Sequence, residues 1–452
     1  DPAAAVAAGE LHVDVAGSKL SGRLVLVRSG ARRSRAGRRG GQGRGALGSD
    51  ALGSDGPGSD ALGSDGLGSD GSGAGEQWLL LHKDDDTAIP GWDPEDYPQS
   101  VLSGRTNEEV RADPERMWRS ELPPSQASVR LRPSRVDGPG DDELAALDAL
   151  DGGGRWDVFG RSLKLTNLDK ELFPGRDGEP PVTKRELIRY SARIAPVILP
   201  YLAGRALNMH RFPGGAAEPG FWHKQLPDHA PDWVPRWDNP EAERGKTTTY
   251  LVVDEPAALV WAANFGALEW HAWTARTSDP HSPSYALIDI DPGTSTAWED
   301  VLVLARLHRT ALAHVGVRGQ PKVTGRRGIQ IWIPVSPGLR YEDTRSWVEQ
   351  LSKTIGAVVP DLVSWKWDVS GRGGLARLDY TQNVSNKTLV APYSPRAAPG
   401  APVSAPISWD DLDDPSLRPD RFTIRTILDR VADRGDLFQT VLADGQELPP
   451  LS

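Results

Sequence analysis

Two carboxylates stand two residues apart at the end of an apolar segment, in the run Tyr285-Ala-Leu-Ile-Asp289-Ile-Asp291-Pro-Gly. Residues at positions i and i+2 of a strand share a face and lie about 6.5–7 Å apart along the chain. The Pro-Gly pair ends the strand, so both acids are expected at a strand terminus, where sheet-based active sites lie. Carboxylate oxygens are the ligands that Mg²⁺ and Mn²⁺ prefer. The pattern indicates a divalent-metal site, with two solvated acids at a turn as the alternative.

A third carboxylate, Asp379, ends another apolar strand, in Gly373-Gly374-Leu-Ala-Arg-Leu-Asp379-Tyr. A lone acid at a strand end usually has a structural role. Together with Asp289 and Asp291, however, it would complete the set of ligands that a two-metal phosphoryl-transfer site requires.

A glycine-rich basic loop separates two apolar segments, in Lys322-Val-Thr324-Gly325-Arg326-Arg327-Gly328-Ile-Gln330. Two glycines three residues apart allow a tight loop whose backbone N–H groups point outward. The arginines and the threonine hydroxyl suit a nucleotide triphosphate. The loop lacks the G-x-x-x-x-G-K-[ST] pattern of a Walker A motif, and a β-turn with exposed arginines would have the same sequence.

Two lysines and one histidine are weaker candidates. Lys184 opens a helix that Thr183-x-x-Glu186 predicts as a capping box, and free N–H groups at a helix start favour an anion. With Lys170 it would form a phosphate site, although two surface lysines are the simpler interpretation. The nine histidines show no metal-binding spacing, and His271 is the one of interest, with a core position as the alternative.

The elements around these residues predict an α/β or α+β domain, because helices and strands alternate after Trp156. Predicted helices follow the capping boxes at 183–186 and 296–299, and a third covers 342–355. Predicted strands cover 248–253, 284–290, 329–335 and 375–380.

The N-terminal part of the chain differs in composition and predicts strands interrupted by low-complexity sequence. Residues 10–28 predict a hairpin with its turn at Gly17-Ser18, and residues 77–83 predict a further strand. Between them, Arg/Gly-rich sequence and Gly-Ser-Asp repeats predict a disordered insertion at 31–75. Its arginines would suit nucleic acid or a solvated tail. Residues 112–155 are rich in Pro, Gly and acids and predict a linker with a short helix at 142–150.

Composition excludes several classes of protein. The 452 residues include no cysteine, which rules out disulfides, thiolate nucleophiles and Cys-ligated zinc and fits a reducing cytoplasm. The net charge of −10 argues against coating nucleic acid through bulk positive charge, while leaving room for a local basic groove. No apolar run is long enough for a transmembrane helix, so no membrane partner is expected.

Taken in order, the motifs resemble the polymerase domain of bacterial ligase D, within the archaeo-eukaryotic primase superfamily, over roughly residues 160–440. The matching stretches include LTNLDKELFP, TKRELIRYSARIAPVILPYLAGR, FWHKQ, LIDIDPG, VTGRRGIQIWIPV, LDYTQN and KTLVAPYSPR. The resemblance implies a primase-type palm with a central mixed or antiparallel sheet flanked by helices. It also implies a domain at 156–440, followed by a tail at 441–452.

The resemblance implies roles for individual residues. The carboxylates Asp289, Asp291 and Asp379 would bind two Mn²⁺ or Mg²⁺ ions. The incoming nucleotide would be bound by His271, beside its sugar, and by Thr324, Gly325, Arg327, Gln330, Lys387 and Arg396. The 5′-phosphate of the downstream DNA strand would be bound by Lys170 and Lys184, and the template by Arg211, Phe221 and Trp222.

This chain departs from the family pattern in the triphosphate loop. The family usually reads Ser-Gly-x-Lys-Gly-Leu-His, whereas Thr324, Arg327 and Gln330 stand at three of these positions. Threonine and arginine keep the hydroxyl and the charge, but Gln330 carries no positive charge. Weaker nucleotide affinity or lower activity is therefore expected. A histidine, His210, also stands where a basic residue usually precedes Arg211.

Residues 9–110, within a predicted module at 1–111, resemble the end of the phosphoesterase domain that accompanies such polymerases. The metal-binding part of that domain is absent, so no phosphoesterase activity is expected. The resemblance implies addition of NTPs or dNTPs at gaps or double-strand breaks, templated or template-free, in the cytoplasm at the nucleoid. Ku and an ATP-dependent DNA ligase are implied as partners, since no ligase lysine motif is evident.

Three alternatives remain open. The first is a catalytically weakened paralogue that binds or bridges DNA ends, which Gln330 suggests. The second is a metal-dependent phosphoesterase. The third is a scaffold for a ligase and Ku.

Overall fold

The structure is a computed structural model that describes residues 2–17, 19, 21–29, 77–83, 93, 96–101, 104–112, 116–118, 128–130, 136–243, 245–366, 368 and 370–451. The chain divides into two compact units, Asp1–Asn107 and Glu108–Ser452. The insertion predicted at 31–75 lies outside the described residues. The domain boundaries proposed from the sequence, at 111, 155 and 440, stay predictions.

The N-terminal unit contains a three-stranded antiparallel sheet in the order β1-β2-β3. Its elements are α1 (Pro2–Ala8), β1 (Glu10–Ala16), β2 (Ser21–Ser29) and β3 (Gln77–His82). The hairpin predicted at 10–28 and the strand predicted at 77–83 are therefore confirmed. The hairpin register pairs Asp14 with Arg23, whose Nε donates to the Asp14 carboxylate at 2.7 Å.

The following helices and strands continue the numbering. The helices are α2 (Asn107–Ala112), α3 (Asp141–Asp148), α4 (Lys184–Leu202), α5 (Pro256–Asn264), α6 (Trp298–His314), α7 (Tyr341–Val358) and α8 (Ile427–Arg434). The first strands are β4 (Arg116–Trp118), β5 (Ser128–Arg130), β6 (Gly154–Val158), β7 (Arg161–Leu165), β8 (Glu171–Phe173), β9 (Val182–Thr183), β10 (Ala206–Arg211), β11 (Phe221–His223) and β12 (Arg236–Glu243). The later strands are β13 (Lys246–Val252), β14 (Ala267–Trp273), β15 (Ala275–Arg276), β16 (Asp279–Pro283), β17 (Tyr285–Asp291), β18 (Gln320–Val323), β19 (Ile329–Pro334), β20 (Arg377–Leu378) and β21 (Thr388–Val390).

Two antiparallel sheets organise the larger unit. One has the order β12-β13-β10-β14-β21, with β11 paired to β10, and the other has the order β18-β19-β17-β20. Hairpins β4-β5, β6-β7, β8-β9 and β15-β16 lie outside these sheets. The predicted α/β (α+β) fold class is confirmed. Of the helices in the described part of the chain, none combines the length and apolar character that crossing a bilayer requires.

Helix α4 forms where its sequence signals predict. The backbone N–H of Thr183 donates to Glu186 Oε2 at 2.9 Å, and the Thr183 hydroxyl accepts from the Glu186 N–H at 3.3 Å. This reciprocal pair satisfies two N–H groups that a helix start leaves unpaired. The buried face of α4 packs on the larger sheet, where the rings of Tyr190 and Trp270 stack with their centres 6.4 Å apart.

The capping box predicted at Thr296 and Glu299 is wrong by one residue. Helix α6 begins at Trp298, and the Ala297 N–H donates to Asp300 Oδ2 at 3.1 Å. Thr296 is engaged elsewhere, because its hydroxyl accepts from the Gly293 N–H and donates to the Gly374 carbonyl, both at 3.0 Å. The hydroxyl thus ties the turn after β17 to the approach to β20.

Asp436 joins the C-terminal segment to the core of the larger unit. Its carboxylate accepts hydrogen bonds from the hydroxyls of Tyr201 and Tyr393, at 2.6 and 2.5 Å, and from the Phe438 N–H at 2.9 Å. Burial raises the pKa of Asp436 to about 6, although these three donors favour the charged form.

We expect this carboxyl to make stability depend on pH. Its folded pKa of about 6 exceeds the unfolded value of about 3.9. The stability that protonation contributes is therefore complete below about pH 4 and is lost as the pH rises through about 6. Asp436→Asn should remove about 1–3 kcal/mol of this dependence, as measured by urea unfolding between pH 4 and 7. The exposed Asp433→Asn is the control, and parallel pH profiles for Asp436→Asn and wild type would contradict the prediction.

Candidate active site

Three carboxylates meet at one edge of the smaller sheet. Asp289 and Asp291 lie in β17, and β20 pairs with that strand in a register that aligns Leu378 with Ile290. The next residue of the β20 segment, Asp379, donates its N–H to the Asp289 carbonyl at 2.8 Å. The structure therefore brings together the three acids that were predicted from separate motifs.

The environment of Asp289 fits a divalent cation. Burial, followed by repulsion from Asp291 and Asp379, raises the pKa of Asp289 to about 7. A cation between these carboxylates would offset the mutual repulsion, and their oxygens are suitable hard ligands. The three residues therefore have the chemistry that a Mg²⁺ or Mn²⁺ site requires.

The two flanking acids differ in their contacts. Asp379 accepts from the Thr381 N–H at 3.0 Å, the Thr381 hydroxyl at 2.6 Å and Gln382 Nε2 at 2.9 Å. Burial opposes ionisation of Asp379, but these hydrogen bonds outweigh it and lower the pKa. Asp291 is exposed and lies 3.4 Å from the Arg372 guanidinium. Thr381, Gln382 and Arg372 were not singled out from the sequence.

The glycine-rich loop lies beside the acids and is organised by Thr324. The Thr324 hydroxyl accepts from the N–H groups of residues 326, 327 and 328 at 3.4, 3.3 and 3.1 Å. Those N–H groups were expected to point outward, but they point toward this hydroxyl. Both glycines are required sterically. A Cβ at Gly325 would lie 2.7 Å from Arg396 Cγ, and one at Gly328 would lie 2.3 Å from the Ile290 carbonyl oxygen.

Arginines attach this loop to its surroundings. Arg327 donates to the carbonyl of Pro292, at 3.1 Å, and to that of Gly293, in the turn that follows Asp291. Arg396 donates from Nη1 to the Thr324 carbonyl at 2.7 Å. Two of the predicted nucleotide-binding cations therefore lie next to the carboxylate cluster, and both contact backbone carbonyls.

A polar row crosses the smaller sheet at the level of Asp289. Gln330 in β19 is aligned with Asp289 on one side and with Lys322 in β18 on the other. Gln330 is buried and its side chain favours the charged form of Asp289, while its Oε1 has no hydrogen-bond partner among the described residues.

Lys322 was not a candidate from sequence, although its cross-strand alignment with Gln330 would have indicated the location. Its ammonium is fully buried and donates to the Ser404 hydroxyl at 2.7 Å. Burial, reinforced by Arg396, holds the pKa of Lys322 well below its usual value.

A buried carboxylate lies on the face of the larger sheet that carries His271. Glu269 Oε2 is 3.1 Å from His210 Nδ1 and 3.1 Å from His271 Nε2. Its Oε1 accepts from Arg326 at 3.2 Å and from the Ala397 N–H at 3.0 Å. Although burial opposes ionisation, these contacts hold the pKa of Glu269 well below its usual range. Glu269 was not predicted from the sequence.

The group His210, Glu269 and His271 is also close enough to hold a metal ion, with ligand atoms within 4.8 Å of one another. However, the same carboxylate contacts Arg326 and Arg396, each at 3.2 Å. These two guanidinium groups already supply the positive charge that a cation would supply. A cation bound there would therefore meet a carboxylate that is already paired with positive charge.

Lys170 and Lys184 are neighbours, as predicted. The Lys184 N–H donates to the Lys170 carbonyl at 2.8 Å, and Lys184 is the first residue of α4. Burial, followed by repulsion from Lys170, lowers the pKa of Lys184 to about 8. A phosphate between the two ammonium groups would relieve this repulsion.

The predicted template residues lie together on β10 and β11. Phe221 and Trp222 are 46% and 51% exposed, which is unusual for large aromatic side chains. Arg211 donates to the Phe265 carbonyl at 2.9 Å, and its guanidinium carbon lies 5.4 Å from the Phe221 ring centre. Lys387 is exposed directly before β21.

Comparison with known proteins identifies the family. Residues 183–438, more than half of the chain, match the LigD primase-polymerase domain. The multifunctional non-homologous end joining protein LigD of Mycolicibacterium smegmatis is 31% identical over 284 residues, which are 62% of this chain and 36% of that protein. The bifunctional LigD of Bacillus subtilis is 31% identical over 288 residues, 64% of this chain and 45% of that protein. The chain thus spans less than half the length of these relatives.

A solved structure agrees with this family assignment. The polymerase domain of Mycobacterium tuberculosis ligase D in complex with DNA is 31% identical, with a TM-score of 0.57, and the match covers 63% of this chain and 99% of that one. The primase-type fold is therefore confirmed, as is the prediction of a primase–polymerase nucleotidyltransferase domain. The phosphoesterase resemblance of residues 9–110 lies outside the matched family region and stays a prediction. The chain belongs to the LigD primase-polymerase domain family.

Proposed function

We propose that this chain transfers nucleotides from NTPs or dNTPs to a 3′-hydroxyl at DNA gaps or broken ends, in non-homologous end joining. The observation that carries the proposal is the meeting of Asp289, Asp291 and Asp379 beside the glycine-rich loop. A single sheet edge then holds metal ligands and phosphate-binding cations together, which is the requirement of nucleotidyl transfer. The relative whose structure was solved in complex with DNA supports the choice of DNA as substrate.

In this mechanism Asp289, Asp291 and Asp379 would hold two divalent ions. The chemistry that such ions would supply is a lower pKa of the attacking 3′-hydroxyl and an offset to the charge on the triphosphate. Arg327, Gln330, Lys387 and Arg396 orient the phosphates and stabilise the charge that develops on them. Thr324 and Gly325 fix the shape of the loop that contacts the triphosphate.

DNA and the sugar are bound away from the acids. Lys170 and Lys184 bind the downstream 5′-phosphate, and Arg211, Phe221 and Trp222 contact the template, the aromatic rings by stacking on bases. His271 lies beside the nucleotide sugar. Template-free addition, cooperation with Ku and an ATP-dependent DNA ligase, and a place at the bacterial nucleoid belong to the same proposal.

One observation favours a second candidate function, a weakened polymerase that mainly binds DNA ends. Gln330 replaces the usual histidine of the loop and is aligned with Asp289 on the neighbouring strand. It therefore contributes no positive charge to the triphosphate site. Gapped-DNA binding without extension would identify this function.

Removal of the paired acids tests the main proposal. We expect Asp289→Ala/Asp291→Ala to lower primer extension on a 5′-phosphorylated gapped duplex, with Mn²⁺, by about 100-fold or more, because bound metal supplies several kcal/mol of charge stabilisation. Exposed Asp361→Ala is the matched control. Equal extension by the double variant and wild type would refute the assigned site, and comparing NTPs with dNTPs gives the sugar preference.

The lysine pair is tested by its selectivity for the 5′-phosphate. We expect Lys184→Ala to weaken binding of 5′-phosphorylated gapped DNA by about 10-fold, since a hydrogen bond to a charged group contributes about 1.5–3 kcal/mol. Binding of the 5′-hydroxyl form should be unchanged. Exposed Lys164→Ala on β7 is the control in a fluorescence-anisotropy titration. An equal loss on both substrates would mean that Lys184 does not recognise the phosphate.

Gln330 is tested by restoring the family residue. We expect Gln330→His to lower the KM for NTP about 2- to 10-fold, because a charge-assisted hydrogen bond to phosphate is stronger than a neutral one. Gln330→Ala, which loses the donor, should raise the KM. Steady-state single-nucleotide incorporation measures both. An unchanged KM in both variants would show that residue 330 does not contact the nucleotide.

A further inference from the structure

His271 presents a buried polar atom that has no protein partner. The side chain is more than nine-tenths buried, its Nε2 faces Glu269 at 3.1 Å, and its Nδ1 has no hydrogen-bond partner among the described residues. Buried polar atoms without partners are uncommon in folded proteins, and each one requires an explanation. A ligand atom that bonds to Nδ1 would supply one.

Glu269 determines which kind of ligand atom can do so. An ionised carboxylate only accepts hydrogen bonds, so the ring nitrogen of His271 that faces it must carry a proton. In the neutral imidazole the other nitrogen, Nδ1, is then an acceptor. Burial lowers the pKa of His271 to about 4 and keeps the ring neutral. The atom that completes the site must therefore be a hydrogen-bond donor.

The carboxylate itself is held from both sheets. His210 lies directly across from Glu269 in the β10–β14 register and donates from Nδ1 to the same oxygen as His271. The other oxygen contacts Arg326 of the glycine-rich loop and Arg396. Because Arg396 also donates to the Thr324 carbonyl, the orientation of His271 is coupled to the loop proposed to bind the triphosphate.

We propose that Glu269 is a positioning residue that fixes His271 in the Nε2–H tautomer, so that Nδ1 accepts a hydrogen bond from a hydroxyl of the incoming nucleotide's sugar. This inference rests on the proposed function and assigns a role to a residue outside its metal and phosphate sites. Glu269 contacts neither nucleotide nor metal in this role. It acts through His271 and, by way of the two arginines, aligns the sugar site with the triphosphate loop.

Fluorinated nucleotides test the direction of this hydrogen bond. A C–F group cannot donate, so replacing the bonded hydroxyl by fluorine should lower wild-type kcat/KM by about 5- to 10-fold, whereas replacing the other hydroxyl should have little effect. The probes are ATP, 2′-fluoro-2′-deoxy-ATP and 3′-fluoro-3′-deoxy-ATP in single-nucleotide incorporation. If neither analogue is discriminated by wild type, the proposed acceptor role of Nδ1 is wrong.

Glu269→Gln then tests the positioning role. The glutamine amide can donate, which allows His271 to adopt the Nδ1–H tautomer and to bond a fluorine as well as a hydroxyl. The ratio of kcat/KM for ATP to kcat/KM for the discriminated fluoro analogue should fall to within about 2-fold. The reason is that a hydrogen bond of about 1 kcal/mol no longer favours the hydroxyl. Glu241→Gln is the matched control, since Glu241 contacts His281 at 3.2 Å on the surface. Equal losses for all three nucleotides would show that Glu269 is merely structural.

Nitrogen-15 NMR of the imidazoles makes the test independent of activity and of the variant's stability. In wild type, His271 should show an unprotonated Nδ1 and a protonated Nε2, and the Nδ1 resonance should shift when ATP and Mg²⁺ are added. A protonated Nδ1 in the free protein would overturn the proposal. If wild type adds no nucleotide at all, the proposed function fails, while the tautomer still shows whether Glu269 positions His271.

Discussion

The register of β17 between its two neighbours is the constraint on which the candidate site depends. A strand alternates its side chains with a period of two, so a slip of one residue would move Asp289 and Asp291 to the opposite face. Pairing with β20 fixes the third acid, because the Asp379 N–H bonds to the Asp289 carbonyl. Pairing with β19 aligns Gln330 with Asp289. Burial, followed by repulsion from the two other acids, raises the pKa of Asp289, and that unfavourable charge suits the site to a cation.

A second constraint joins the two sheets. Glu269 belongs to the larger sheet, whereas Arg326 belongs to the loop between β18 and β19 of the smaller one. A buried carboxylate is costly unless it is paired and hydrogen-bonded, and here both oxygens have several partners. Truncating one partner would leave a buried charge with fewer compensating contacts. The energetic requirement of Glu269 therefore keeps the histidine pair and the basic loop in a defined relative position.

The replacement of the family's usual histidine by Gln330 also places a neutral amide in a buried row of polar side chains. The residue lies in a row that runs from Asp289 to the buried Nζ of Lys322, which donates to Ser404. The amide oxygen of Gln330 has no hydrogen-bond partner among the described residues. The neutral amide of Gln330 therefore lies between an acid and a lysine whose pKa is lowered by burial.

Local patterns were sufficient to predict the fold class and helix α4 with its capping box, because periodicity and capping depend on near neighbours in the chain. They also located the three acids and the two lysines. The same patterns misplaced the start of α6, since Thr296 bonds to residues on both sides of the cluster. Glu269 and Lys322 carried no local signal. Their importance comes from cross-strand alignment and from partners more than fifty residues away. Only the tertiary structure brings these groups together, because burial and charge pairing depend on contacts that sequence spacing does not encode.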